Sequence, residues 1–388
     1  MTYDRIKTPF ICLSIVLITL FSPIFVQASS EEGKKFEPGQ FIIEHITDSY
    51  GWHIAGEGEH AIGISLPIIL IDNGTPVVFM SGKFHHGHAA YKGYALGFTP
   101  ETKGKIVKLG GTHSGYTGTL EEGTSYEIDT NASLIDFSIT KNVCSLFISI
   151  ILLIFIFLSV AKQYKRRDGM APKGLQSLLE PVILFIRDEV VIPSIGEKKY
   201  EKFLPYLLTL FFFILINNMM GLIPVFPGGA NLTGNITITG ILAIITFFIT
   251  SFSSNKNYWK HIFNTPGVPW WLKIPIPLMP LVEIIGIFTK PFVLMVRLFA
   301  NISAGHIIIL GFICLVFIFG GMSPALGYGV SAVSIFFYLF MGLLELIVAF
   351  VQAFVFTLLT SLYIGLAMEE GHEEAHEEHH APMSIEKE

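Results

Sequence analysis

Val296-Arg297-Leu298-Phe299-Ala300-Asn301-Ile302-Ser303-Ala304-Gly305-His306 sets one cation inside a long apolar run. Beyond Arg297, residues 298–344 contain no Asp, Glu, Lys or Arg. A guanidinium keeps its charge at any physiological pH. Holding one at mid-bilayer costs ~2.5–3.5 kcal/mol on insertion scales. Such residues are rare in membrane helices and face a water-filled path or a partner charge. The stretch therefore points to an ion path through a membrane, with Arg297 at its centre. Snorkelling of the side chain to the interface competes with this. It is disfavoured because apolar sequence continues for more than one helical turn on both sides.

Composition agrees. Hydrophobic residues make up 51 % of the chain and charged residues only 14 %. That is too apolar for one soluble domain and too unevenly spread. The net charge of −6 comes partly from the acidic C-terminal tail, so it says little about partners. The three cysteines are Cys12, Cys144 and Cys314. None lies in the polar segment 29–141, which therefore cannot be stapled by a disulfide.

At the N-terminus, Arg5 and Lys7 precede the apolar stretch Pro9–Val26, and Val26-Gln27-Ala28 offers a small-residue cleavage site. Residues 1–28 thus read as a signal peptide, with an uncleaved anchor helix as the alternative. Residues 29–141 are expected outside the cytoplasm as a small β-rich region of unknown role. Asn73-Gly74 between Ile68-Ile69-Leu70-Ile71 and Val77-Val78-Phe79 predicts a hairpin, weakened by Pro76. No helical period stands out there. His85, His86 and His88 cluster, with His45, His53 and His60 upstream, but no cysteine or carboxylate completes a ligand spacing. A solvated loop is expected rather than a metal site.

The rest predicts an all-α multi-pass membrane protein. Five segments are expected, at 142–161, 204–224, 232–252, about 276–319 and about 330–368. Between the first two, Leu175, Leu178, Leu179, Val182 and Phe185 suggest an amphipathic stretch on the membrane surface. Lys and Arg gather after the first span, before the second and after the third, while 225–231 and 320–329 carry none. The positive-inside rule then places 29–141 outside and the C-terminus inside. Residues 369–388 form an acidic, His-rich tail that reads as a solvated end.

The last two segments are roughly twice the ~20 residues that cross ~30 Å of hydrocarbon. They are expected to be steeply tilted, or partly broken at Pro280 and Pro291, with the turn at Gly320-Gly321, Pro324 and Gly327. In an antiparallel pair, residues at equal depth have a constant sum of numbers. Arg297 with Gln352 and His306 with Glu345 give nearly the same sum, so each pair is expected at one depth. Arg297 and Asn301 share a face at i,i+4. Glu283, Lys290 and Arg297 recur every seven residues on one drifting stripe. His306 and Glu345 then lie outward of Arg297, and Glu283 lies inward. Two polar routes approach one fixed cation from opposite sides.

These residues resemble a known family. Val296 to His306 is similar to the signature of subunit a of the F-type ATP synthase membrane sector. So are Leu343-Leu344-Glu345 with Gln352-Ala353-Phe354-Val355-Phe356, Asn218-Met219-Met220-Gly221-Leu222-Ile223-Pro224 and Thr289-Lys290-Pro291. The resemblance covers roughly 142–368 and leaves 29–141 aside. It implies a stator that is not an enzyme by itself and that carries protons through two half-channels. Its implied partners are a ring of small proteolipid c subunits, a b-type peripheral stalk subunit, the rest of the synthase and membrane lipid. The implied location is a bacterial inner membrane. Arg297 matches the family's arginine, and Asn301 and Gln352 its polar neighbours. Many members carry an acid near His306 and a histidine near Glu345; here the two are exchanged. Gly221 stands where some relatives have an acid, which puts the outer mouth in doubt.

The resemblance implies a mechanism resting on Arg297, Asn301, His306, Glu345, Gln352 and Glu283. A ring carboxyl must be neutral to face lipid, and it ionises near a cation. Lys290 is expected to neutralise Glu283 or to snorkel, and Glu180, Asp188 and Glu189 to be solvated. Other classes fit less well. A secondary transporter would show internal repeats, and none is visible. An intramembrane enzyme would need a nucleophile–base pair or metal ligands. There is no Gly-rich phosphate loop. No cofactor, metal or nucleic-acid partner is expected.

Overall fold

The computed structural model describes residues 37–368, apart from 56–61, 98, 100–101, 121–125, 130–131, 168, 224–225 and 264–277. The signal segment expected at 1–28, His60 and the tail at 369–388 lie outside the described residues. The chain divides into two compact units. Of the described residues, one holds those up to Glu44, Ser49–Lys141 and Cys314–Ser331; the other holds His45–Asp48, Asn142–Ile313 and those from Ala332 on.

The first unit is β-rich. Its strands are β1 (Gly51–Ala55), β2 (Ile62–Ser65), β3 (Pro67–Asp72), β4 (Thr75–Met80), β5 (Ala89–Ala90), β6 (Tyr94–Leu96), β7 (Ile106–Lys108), β8 (Gly118–Thr119) and β9 (Leu134–Asp136). They form a three-stranded sheet of order β4-β3-β9 and three two-stranded ribbons. Asn73 (φ 47°) and Gly74 (φ 85°) turn β3 into β4, with Asp72 opposite Thr75. Two positive φ values are what a two-residue hairpin with the native twist requires. Pro76 is accommodated because β4 is an edge strand, where a missing N–H is tolerated. Ile68, Leu70, Phe79, Phe84, Tyr94 and Ile106 build the core of this sheet.

The polar segment also contains a helix. Pro38–Ile46 is helical, here α1. Nine residues are too few for a 3.6-residue period to stand out, while Pro38 at the first position suits a helix start. His85 and His86 lie on a 3-10 turn, Ser81–Gly87. Among the described residues no group of three or more His, Cys, Asp or Glu is arranged to hold a metal ion.

The second unit carries most of the membrane-length helices. Among the described residues, five helices are long and apolar enough to cross a membrane. They are α2 (Lys141–Arg166), α5 (Tyr200–Leu222), α6 (Ile236–Ser253), α8 (Leu278–Met322) and α9 (Pro324–Met368). Before α5, α3 (Leu175–Phe185) passes through a π-helical turn, Ile186–Val191, into the short α4 (Ile192–Ile195). After α6 comes α7 (Lys256–Phe263). The chain is a mostly helical, multi-pass membrane protein with a β-rich N-terminal region.

Two expectations are corrected here. Neither Pro280 nor Pro291 breaks α8, which stays helical over 45 residues. Pro280 falls in the first turn, where its missing N–H is not needed. The turn between α8 and α9 is Ser323 alone, because Gly320 and Gly321 remain helical and Pro324 starts α9. Each arm therefore rises ~67 Å by the 1.5 Å step, twice the hydrocarbon thickness, so an apolar arm must lie inclined in a bilayer.

The amphipathic stretch divides its apolar residues. Ile186, Val190 and Val191 are fully buried, whereas Leu175, Leu178 and Phe185 are exposed. The buried set joins Leu207, Phe211 and Ile214 of α5, Leu294, Leu298 and Ile302 of α8, and Ala353, Phe356 and Ile364 of α9 in one core. Glu180 is half-buried and accepts a bond from the buried Gln176 amide at 3.4 Å, so it is not simply solvated. Asp188 is exposed and pairs with Arg187 at 2.6 Å, an ordinary surface contact.

Candidate functional site

Helical spacing decides which side of α8 carries the charge. Leu294, Leu298 and Ile302, four apart, are each at most 3 % exposed and form the face held in the core. Arg297 and Asn301 come one position earlier and are exposed. Among the described residues Arg297 makes no hydrogen bond or ion pair. Its charge reaches the Tyr363 phenol of α9. Apart from Asn301, exposed side chains on this stretch of α8 include the apolar Val293, Val296, Ile307 and Ile308.

The hairpin register is visible in its contacts. Phe312 stacks on Phe337 with centroids 5.3 Å apart. His306 Nδ1 lies 2.9 Å from Glu345 Oε1. Lys290 Nζ stands 5.6 Å above the Tyr363 ring. The facing numbers sum to 649, 651 and 653 in turn, so the register drifts as the two helices cross. At Arg297 the drift puts the opposing residue about one turn past Gln352, toward the C-terminal end of α9. Gln352 is buried while Arg297 is exposed, and the structure does not bring the two into a hydrogen bond.

The His306–Glu345 pair is confined. Glu345 is 4 % exposed, and neither of its oxygens receives an aligned hydrogen bond from a described group. The 2.9 Å approach is thus a close polar contact whose N–H direction is off-axis. Two glycines make the room. A Cβ at Gly305 would stand 2.8 Å from Glu345 Oε1. A Cβ at Gly221 would stand 3.3 Å from His306 Nε2, so the imidazole reaches the place where a side chain at 221 would sit.

A polar seam continues on this side. Buried Asn218 of α5 donates to the Ala349 carbonyl of α9 at 3.0 Å and accepts from the Thr233 hydroxyl at 2.6 Å. Ser303 of α8 donates to the Gly234 carbonyl at 3.3 Å. Asn231 Oδ1 accepts from Gly234 N at 2.9 Å. The segment before α6 is thereby tied to α5 and α8, and through Asn218 to α9. Thr233 and Ser303 could not be singled out from sequence, because small hydroxyl residues are common in membrane helices. The signal that existed was the glycine–asparagine–threonine density of 228–235.

Toward the other end of the hairpin, Thr246, Thr250, Ser251, Tyr258, Lys290 and Tyr363 line a small pocket. The Tyr206 hydroxyl of α5 approaches the Thr246 hydroxyl at 3.2 Å. Glu283 acts electrostatically on Tyr258. Lys290 does not pair with Glu283 among the described residues; it turns to Tyr363. Seven residues separate the two along α8, ~10 Å of rise, while the ring lies at hand. Both flanks of Arg297 are therefore polar, and both are built from α8 and α9 with help from α5 or α6.

Known proteins match the two parts of the chain separately. The family described as ATP synthase A chain matches residues 143–365. A domain of unknown function (DUF8433) matches residues 41–137. "ATP synthase subunit a 2" of Chlorobaculum tepidum is 46 % identical over 223 residues, covering 56 % of this chain and 59 % of that protein. "ATP synthase subunit a" of Chloroherpeton thalassium is 42 % identical over 224 residues, covering 56 % and 62 %. "ATP synthase subunit a" of an Anaeromyxobacter species is 40 % identical over 230 residues, covering 56 % and 51 %. The chain thus spans about six tenths of the length of the curated relatives it matches. The family match takes in more than half of the chain, including every residue of the seam and the pocket. The chain belongs to the ATP synthase A chain family.

Proposed function

We propose that the chain is the stator subunit that carries protons to and from a rotating ring in an F-type ATP synthase, without being an enzyme itself. The observation that carries this is Arg297: a cation without a hydrogen-bonded partner among the described residues, exposed on a largely apolar helix face, between two polar regions. The ring of small proteolipid c subunits would lie against that face. Each ring carboxyl would ionise beside Arg297 and release its proton toward Lys290, Tyr363, Tyr258 and Glu283. A new proton would arrive through Asn218, His306 and Glu345, and the neutral carboxyl would move on into lipid. Arg297 blocks a direct leak between the two routes, since it does not give up its own proton. Asn301 and Gln352 flank it as hydrogen-bonding neighbours.

The same proposal places the protein in a bacterial inner membrane beside a b-type stalk subunit. Residues 1–28 act as a signal peptide. Residues 29–141 are extracytoplasmic, 142–368 are the membrane domain, and 369–388 are a solvated cytoplasmic end. Affinity purification through a tag on this chain tests it. A ring of small proteolipids should come with it, and vesicles holding that assembly should conduct protons once the catalytic head is stripped off. A purified complex without such a ring would contradict the proposal.

A further inference from the structure

The three-stranded sheet of the N-terminal unit has a second apolar face. Strand alternation sends Ile68, Leu70 and Asp72 of β3 into the core, so Pro67, Ile69 and Ile71 point the other way. The register supplies their neighbours. Ile69 faces Val78, Ile71 faces Pro76 on one side and Ile135 on the other, and Pro67 faces Met80. Phe137 N donates to the Ile69 carbonyl at 2.9 Å, which sets Phe137 beside Ile69. The rows read Val78–Ile69–Phe137 and Pro76–Ile71–Ile135, and no charged residue belongs to them. Val78 and Phe137 are 61 % exposed, Ile135 51 % and Met80 47 %. An antiparallel sheet with one face in water normally alternates apolar and polar residues. A contiguous apolar face left open marks an interaction site.

We propose that this face rests on the lipid bilayer and seats the N-terminal unit on the membrane surface outside the spanning helices. Two observations favour lipid over a protein. The first is the tether. Phe137 lies four residues before Lys141, where α2 starts, so the connecting chain reaches at most about 13 Å. The sheet cannot leave the neighbourhood of a bilayer that α2 enters. The second is size and chemistry. The face has eight side chains, against the ~20–30 residues a side of a standard protein interface, and its rows offer no polar side chain. Apolar groups of this kind settle ~5–10 Å into the boundary between headgroups and acyl chains, where shape matching is not required. The proposal rests on the reading of residues 142–368 as membrane-spanning.

The test uses the full chain in its complex, reconstituted in vesicles of phosphatidylcholine and phosphatidylglycerol. Cys12, Cys144 and Cys314 are replaced by Ala, and single cysteines are introduced as Val78→Cys, Ile135→Cys, Thr112→Cys and Phe252→Cys. Each carries a polarity-sensitive fluorophore. Phe252 is 85 % exposed on α6 and reports on the spanning reading; Thr112 is exposed elsewhere on the N-terminal unit. Labels at 78 and 135 should lose fluorescence to lipid-borne nitroxides and resist aqueous iodide, with the label at 112 behaving oppositely. Iodide quenching at 78 and 135, with lipid quenching at 252, would overturn the proposal and leave the spanning reading intact. Shielding of 78 and 135 from both quenchers would also overturn it, in favour of a protein cover. Failure of lipid quenching at 252 would remove the premise and the proposal together.

Discussion

His306 Nδ1 and Glu345 Oε1 meet at 2.9 Å across the two arms of the hairpin, and Gly305 is the neighbour that lets the carboxyl in. One residue can hold a positive charge and the other a negative one, in a place where neither is fully hydrated. The unit to test is therefore the pair.

Exchanging the two, as His306→Glu with Glu345→His, should keep more proton-driven ATP synthesis than His306→Ala or Glu345→Ala. The geometry joins one imidazole and one carboxyl and does not require a given order. Synthesis rates in inverted vesicles decide it. An exchange no better than the worse single variant would show that the two act separately.

Gly305→Ala should impair proton conduction while leaving the assembled complex intact. Its Cβ would fall 2.8 Å from Glu345 Oε1, so the carboxyl must move from His306. Gly221→Ala meets only the ring edge at 3.3 Å and should be milder. Passive proton flux through head-stripped vesicles measures both. Equal fluxes in Gly305→Ala and the parent would separate Glu345's position from conduction.

Asn218→Leu should destabilise the complex by about 1–3 kcal/mol and slow proton uptake. It leaves the Ala349 carbonyl and the Thr233 hydroxyl without their buried partner. Thermal dissociation of the detergent-solubilised complex gives the first effect, and flux gives the second. Unchanged values of both would mean that the segment before α6 is held by other contacts.

The N-terminal unit has its own pH window. Asp72 accepts from Lys108 Nζ at 2.6 Å and from the Tyr94 hydroxyl at 2.7 Å, and the Lys108 bond above all holds its pKa below 3.8. Its stabilisation is present above the unfolded carboxyl value and is lost as pH falls through the lower folded value. Tyr94 is pushed up to about 12, first by burial and then by its bond to Asp72. That contribution is full below 10 and is lost as pH rises toward about 12. Trp52 is buried in β1 and reports on this unit once Trp259, Trp270 and Trp271 are replaced by Phe. Lys108→Met should cost about 1–2 kcal/mol, the small figure reflecting its partly solvated ammonium, and move the acid transition upward. An acid transition that does not move would show that Lys108 is not what holds Asp72.

Sequence carried the parts of this structure that depend on periodicity and isolation. Arg297 was legible because nothing charged follows it until Glu345. The His306–Glu345 pair was legible because a helical hairpin has one free parameter, its register. The β3–β4 turn was legible in Asn73-Gly74. What was not legible depends on how helices cross. Gln352 does not bond to Arg297 because the register drifts by a few residues along arms of 45 residues. Lys290 reaches Tyr363 rather than Glu283 because the ring of a distant segment lies nearer than the acid on its own helix. Asn218 and Thr233 join through a loop whose path no local pattern encodes. Helix α1 was too short to show a period. The apolar outer face of β3 was hidden too, since a strand apolar on both faces reads only as a hydrophobic run.

Arg297 carries the central claim, and its replacement tests it most directly. In Arg297→Ala the complex should assemble, because the residue is exposed and contributes nothing to the core formed by Leu294, Leu298 and Ile302. Proton-driven ATP synthesis should be abolished, and Arg297→Lys should fail as well, since a desolvated ammonium can lose its proton and lacks the planar fork. The measurement is ATP synthesis driven by an imposed proton gradient in vesicles holding equal amounts of parent or variant complex. Loss of synthesis in a fully assembled Arg297→Ala complex is the result expected here. Normal coupled synthesis in that variant would contradict the account.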